Sequence, residues 1–385
     1  MVELGNILAG PFCGTLMADF GAEVIKVEPP NVGDLMRGMG RIDEIWFAVE
    51  ARNKKNITLN IQHPQGKLLL EKLLRDADIV TENFRPGVLA KLGFSWARLQ
   101  EINSRLIYVC SSGYGQTGPY AHRPSLDRIG LATGGVLHVS GFPDGPPMKT
   151  GLSVCDFMTA MFGCIGAMFA VYNRDVVGTG IGQIVDCSLS ETALRIQESI
   201  IAEYSYDGTI RERMGNEAIV TSPADHFLTK DNKYLILTVV GDKVFNQFAR
   251  AIHQEELMDN PKFNNAKGRM VYRKDLNKIA AEWASKYTLD ECLSALGSEV
   301  PCSKVFNVED VMNFEQFKFR DDIIKVATKQ FGEICMQGIV PKLSGTPGEV
   351  KWAGEELGRF NEEIYCGKLG LSREELDQLK TDGVV

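Results

Sequence analysis

The sequence contains no CxxC pair and no HExxH, and its five histidines are dispersed. Its nine cysteines (Cys13, Cys110, Cys155, Cys164, Cys187, Cys292, Cys302, Cys335 and Cys366) are odd in number and scattered. That distribution excludes a zinc site and a disulfide framework, and fits thiols kept reduced in the cytoplasm. A signal peptide is not evident, so the cytoplasm is the expected location. Positive charge is the minority sign: 42 Lys and Arg stand against 50 Asp and Glu, a formal charge of −8. A nucleic-acid binder is therefore not expected, although a local basic pocket remains compatible. The G-x-G-x-x-G fingerprint of dinucleotide folds is missing after the early strands. No repeat or low-complexity tract occurs, and the longest apolar run is shorter than the roughly 20 residues that a membrane span needs.

What is present is an ordinary globular composition, 44% hydrophobic and 24% charged, over 385 residues. Length alone suggests two or three domains. The front of the chain alternates strands and helices. Strands are expected at Glu23 to Glu28, Ile57 to Ile61, Ile79 to Glu82, Leu106 to Ser111 and Gln183 to Cys187. Helices are expected at Cys13 to Phe20, Gln65 to Arg75, Pro86 to Lys91 and Ser95 to Glu101, and a long one from Ser188 to Tyr206. This is the pattern of an α/β layer with a mostly parallel sheet. After the polar stretch Arg211 to Ser222 comes a hairpin turning at Asp231-Asn232, then helices at Asp242 to Ile252, Tyr272 to Lys286 and Leu289 to Leu296. That reads as a second, smaller α+β domain. The expected division is 1–207, 208–330 and 331–385, the last part with helices at Glu355 to Tyr365 and Ser372 to Thr381.

Two features carry chemistry. Lys149 to Arg174 begins as a turn and becomes an apolar helix whose first turn holds Asp156. An acid there gains from the free N–H groups and the helix dipole, so it is expected to be ionised, partly desolvated and fixed in direction. Such a carboxylate suits nucleophilic catalysis, although capping alone would explain it. Basic residues also follow the expected strands: Arg37, Arg52-Asn53-Lys54-Lys55, Arg85 and Lys91. Ligands of open α/β sheets gather at the carboxyl ends of strands, so these groups could converge on phosphates. The loop Gly113-Tyr114-Gly115-Gln116-Thr117-Gly118-Pro119 reads as a turn.

The segments AGPFCGTLMADFGAEVIKVEPPNVGD, ARNKKNITLN, ENFRPGVLAKLGFSWARLQEIN, RLIYVCSSGYGQTGPY and GLSVCDFMTAMFG resemble the class III coenzyme A transferases, the formyl-CoA transferase and carnitine CoA-transferase family. The resemblance extends over essentially the whole chain, which starts inside the family's first strand. It implies an interlocked homodimer, each subunit with a large Rossmann-like domain built from both ends of the chain and a small domain between. It places Asp156 at the nucleophilic aspartate. Asn83, Phe84, Arg85 and Lys91 match positions along the CoA. Arg52, Asn53 and Lys54 match the segment bordering the nucleotide, and Asp127 matches an acidic position near the CoA.

The implied activity is transfer of CoA from an acyl-CoA donor to a small carboxylic acid through an aspartyl anhydride and an aspartyl-CoA thioester. No metal or tightly bound cofactor is implied. The glycine-rich loop of the formyl-CoA transferase branch is absent from Ser222 to His226, which argues against oxalate or formate as substrates. The alternatives are an acyl-CoA racemase of the same superfamily and a non-catalytic acyl-CoA binding protein. Racemases carry a catalytic His immediately before the acid matching Asp127. Here that residue is Leu126, which removes half of the proton-transfer pair.

Overall fold

Six parallel strands form the central sheet of this computed structural model, which describes residues 1–385. They are β1 (Val2–Glu3), β2 (Val24–Glu28), β3 (Lys54–Thr58), β4 (Ile79–Glu82), β5 (Ile107–Ser112) and β6 (Ile184–Ser188). Their spatial order is β3-β2-β1-β4-β5-β6. The order reverses between β1 and β4, which both pair with their neighbours in parallel. A crevice opens at such a reversal, beyond the carboxyl ends of the strands. β2 and β4 are buried along their whole length, as expected of strands covered on both faces.

This sheet belongs to a discontinuous unit made of Met1–Val136, Lys149–Ile210 and Gln316–Val385. The C-terminal segment completes it. Asn53 N–H donates to Trp352 O at 3.0 Å and Asn60 N–H to Val384 O at 2.8 Å. The Tyr365 hydroxyl donates to Thr58 O at 2.6 Å. Tyr365, Leu376 and Val384 share one apolar cluster with Ile57, Leu70 and Val80. The antiparallel hairpin of β10 (Ile323–Thr328) and β11 (Gly332–Gln337) also lies in this unit, with Val326 and Met336 packed on Ala48 and Ala353.

The second unit comprises Leu137–Met148 and Arg211–Glu315. Its three-stranded antiparallel sheet has β8 (Tyr234–Thr238) between β7 (Ala224–Leu228) and β9 (Cys302–Lys304). Helices Gly241–Ala251, Arg273–Ala284 and Leu289–Leu296 cover it, and Phe227, Leu235, Phe245, Phe248 and Trp283 form the core.

Several boundaries differ from the sequence reading, for both local and long-range reasons. Residues 137–148 sit with the second unit, tied there by Gly215 N–H to Gly141 O at 2.9 Å. The return to the first unit begins at Gln316, ahead of the expected 331. The expected helix from Ser188 to Tyr206 is two, Leu189–Arg195 and Ile200–Asp207, broken where Glu198 takes φ 49°. Residues 355–360 do not start a helix, because they bond to β3: Asn56 Nδ2 donates to Glu356 O at 2.5 Å and Phe360 N–H to Asn56 O at 3.2 Å. The helix after Pro86 is one turn, Val88–Lys91, with Gly87 in the left-handed region at φ 83° as its N-cap.

Candidate active site

A cavity of about 660 Å³ lies at the strand-order reversal. It is lined by the loop after β1 (Asn6 to Ala9), the loop after β4 (Asn83 to Pro86), the end of β5 with Ser111 to Gly113, the run Arg123 to Leu126, and Asp156. Sequence reasoning picked Asp156, Asn83, Phe84 and Arg85 from distant segments, and the fold brings these four together. A second cavity, of about 650 Å³, lies elsewhere, beside Met1, Leu16 and Phe20. Its two basic side chains, Arg174 and Lys368, are paired with Asp78 and Glu23.

Asp156 stands in the first turn of the Val154–Val171 helix, whose N-cap Ser153 makes no side-chain cap. The cap comes from elsewhere in the chain. Asp127 Oδ1 accepts from Cys155 N–H at 2.8 Å and from Asp156 N–H at 3.4 Å. Asp127 is buried and opens its own helix, Asp127–Thr133. It therefore fixes the backbone of Asp156, and it is absent from the cavity lining. The Phe157 ring meets Phe12 edge to face at 4.7 Å, which anchors the same turn against the helix Pro11–Asp19. Burial pushes the Asp156 carboxyl up to about 7, with the negative charge of Asp127 adding to the effect. Desolvation and a like charge therefore oppose the ionisation that the helix N-terminus favours.

The two loops at the reversal are stitched together by Asn83. Its Oδ1 accepts from Asn6 N–H at 2.9 Å, and its Nδ2 donates to Asn6 O at 2.8 Å. Gly5 and Gly10 permit this approach, since a Cβ on Gly5 would fall 2.8 Å from Asn83 Oδ1. The Asn83 amide is thus spent on the protein. Glu82, which the sequence reading left as a strand residue, fixes the next turn. It accepts from Phe84 N–H at 2.5 Å and from the Tyr108 hydroxyl at 2.7 Å. Burial, with a further push from Asp186, raises the Glu82 carboxyl to about 7. Ile7 takes φ 65°, an outlier for a β-branched residue, and is held there by its N–H donating to Asp34 Oδ1 at 2.9 Å.

Arg52, Asn53 and Lys54 are not brought to this cavity. β3 starts at Lys54, three residues ahead of the expected strand, so these residues precede or open a strand and do not follow one. Their polar groups are engaged internally. Arg52 pairs with Asp19 at 2.5 Å, Asn53 Nδ2 donates to Glu349 O at 2.7 Å, and Lys54 Nζ lies 2.9 Å from Glu3 Oε2. Arg37 is likewise held by both oxygens of Glu28, at 2.7 and 2.8 Å. Lys91 is exposed on the single-turn helix beyond Arg85 and is not among the lining residues. Leu126, in the place of the racemase histidine, is 72% exposed and lines the cavity beside Asp156. No proton-transfer group stands there.

A family model for CoA-transferase family III matches residues 1–359. The chain is 41% identical to succinyl-CoA–D-citramalate CoA-transferase of Chloroflexus aurantiacus, covering 100% of this chain and 96% of that protein. It is 31% identical to formyl-CoA:oxalate CoA-transferase of Streptomyces coelicolor, over 100% and 98% of the two chains. The crystal structure of a CAIB/BAIF family protein from Brucella suis superposes with a TM-score of 0.84 at 30% identity, covering 95% of this chain and 97% of that one. Matched along nearly its whole length and sharing that fold, the chain belongs to CoA-transferase family III and is a CoA-transferase.

Proposed function

We propose that the enzyme moves CoA from an acyl-CoA donor to a free carboxylic acid through covalent intermediates on Asp156. The observation that carries this reading is a desolvated carboxylate fixed by Asp127 in a cavity whose lining cations are arginines. The Asp156 oxygen attacks the thioester carbonyl, giving a mixed anhydride and CoA thiolate. The thiolate then attacks the aspartyl carbonyl, releasing the donor acid and leaving an aspartyl-CoA thioester. An acceptor carboxylate attacks that thioester and expels the thiolate, which closes the cycle on the acceptor-derived carbonyl and frees Asp156. Each step exchanges acyl groups between oxygen and sulfur, so the balance needs no redox group. The burial that raises the Asp156 carboxyl also strips water from it, which favours attack once it is ionised.

The relatives named for succinyl-CoA with citramalate or malate suggest a dicarboxylic donor and a hydroxydicarboxylic acceptor. Incubation with succinyl-CoA followed by hydroxylamine should leave a hydroxamate on Asp156, located by peptide mapping. A hydroxamate on another residue, or none while transfer proceeds, would sink the covalent route.

We also propose that the enzyme is a homodimer. The 23-residue helix Val154–Val176, longer than the apolar run read from the sequence, is apolar enough to cross a membrane by length and composition, and only a third of its most apolar stretch is buried. One side packs on β5 and β6, where Gly166 meets Val185, while Met161, Ile165, Met168 and Phe169 remain exposed at helical spacing. A second copy would cover this stripe. Sedimentation should return twice the chain mass at micromolar concentration, and a monomer there would count against the dimer.

A further inference from the structure

We propose that Arg123 and Ser125 recognise the far carboxylate of a dicarboxylic acyl group and so set the acyl selectivity of this site. The inference rests on the CoA-transfer reading above. Only two cations line the cavity, Arg85 and Arg123. The buried cations around it are neutralised within the protein: Lys26 by Glu3 and Asp34, Arg37 by Glu28, Arg52 by Asp19. Arg85 and Arg123 have no acidic partner, so both remain open to an anion outside the chain.

Arg123 is held ready for a carboxylate. Its guanidinium lies over the Tyr120 ring at 4.0 Å, and its N–H donates to Tyr120 O at 2.8 Å. Stacking occupies one face of the guanidinium and leaves its N–H edges free for a two-point contact with a carboxylate. Ser125 supplies an independent indication. Its Oγ is shut off from solvent and has no hydrogen-bond partner, although the residue lines the cavity. A buried hydroxyl without a partner is costly, and a turn about χ1 into the cavity would let a bound acid satisfy it. Gly113 allows Ser125 to sit there, since a Cβ on Gly113 would fall 2.3 Å from that of Ser125.

Sequence position assigns Arg123 to the acyl end of the ligand. Arg123 and Ser125 lie on the segment that reaches Asp127, whose carboxylate holds Asp156 N–H. Arg85 lies on a different loop, after β4, and is followed in the chain by exposed Lys91, where cations suit phosphates. An acyl group ending in methyl leaves Arg123 facing an apolar tail, which selects against it.

Butyryl-CoA is the test ligand, because it replaces the far carboxylate of succinyl-CoA with a methyl group. Wild type should prefer succinyl-CoA as donor. Arg123→Gln should lower kcat/KM for succinyl-CoA by about 10- to 100-fold, the range for one charge-assisted contact, and that for butyryl-CoA by less than about threefold. Ser125→Ala should show a smaller loss with the same selectivity. CoA alone should bind Arg123→Gln as tightly as wild type in calorimetry, which also reports that the variant is folded. Equal losses for both donors would make Arg123 a nucleotide contact and overturn the inference, as would no loss for either. Wild type that transfers CoA from neither donor, nor from any other acyl-CoA, would instead overturn the transferase reading itself.

Discussion

Asp156→Asn is expected to lower CoA transfer by about 10⁴-fold or more while leaving the fold intact, because the amide cannot form the anhydride. The same substitution should make the protein more stable at high pH. The folded-state carboxyl titrates near 7, above its ordinary value of 3.8, so folding favours the protonated form. Its unfavourable contribution is absent below the unfolded value, grows as pH rises towards about 7 and is constant beyond. Thermal melts should therefore show Asp156→Asn above wild type at pH 8, and the gap should close by pH 4. In wild type, kcat/KM should climb as pH rises through about 7, as the nucleophile ionises. A variant that keeps substantial turnover would remove Asp156 from the chemistry. A melting difference that widens towards acid pH would contradict the environment described for it.

Lys26→Met should be the most destabilising of the single changes considered, at about 3–5 kcal/mol, the usual cost of breaking a buried ion pair from one side. Lys26 Nζ lies 2.9 Å from Glu3 and 2.6 Å from Asp34, and all three side chains are at most 2% exposed. Lys54 extends the chain of charges to Glu3 at 2.9 Å. Without Lys26, Asp34 keeps only backbone donors, those of Ile7 and Met36. The damage should extend to catalysis, because Asp34 is what holds the Ile7 backbone at the cavity. Urea unfolding measures the first effect and kcat/KM the second. A loss under about 1 kcal/mol would mean that the network relaxes around the gap.

The sheet was legible because its strands are short apolar runs set between amphipathic helices, and Asp156 because it is the one acid in an apolar stretch. The basic segment at 52–55 misled for an instructive reason. A lysine in a sequence reads as a solvated or ligand-binding charge, whereas Lys54 is 1% exposed and belongs to an internal ion network. Nothing local in KKNITLN discloses Glu3, more than fifty residues away. The cap on the Asp156 helix escaped notice likewise, since Asp127 supplies it from another helix. Arg123 and Ser125 sat in a stretch that looked like connecting loop. Their meaning lies in what they fail to contact, which only coordinates reveal.

The late segment that completes the sheet unit also bears on synthesis at the ribosome. β3 gains its outer neighbours only when Trp352, Tyr365 and Val384 have emerged, and Tyr365 and Val384 cover Ile57 and Leu70. Arg211–Glu315, by contrast, is contiguous, and residues 137–148 that join it are made earlier. The part of the chain made first must therefore wait for the part made last, while the middle can close during elongation. Ribosomal stalling before residue 352 would thus leave the central sheet, the Asp156 helix already made, with its apolar flank open to other nascent chains.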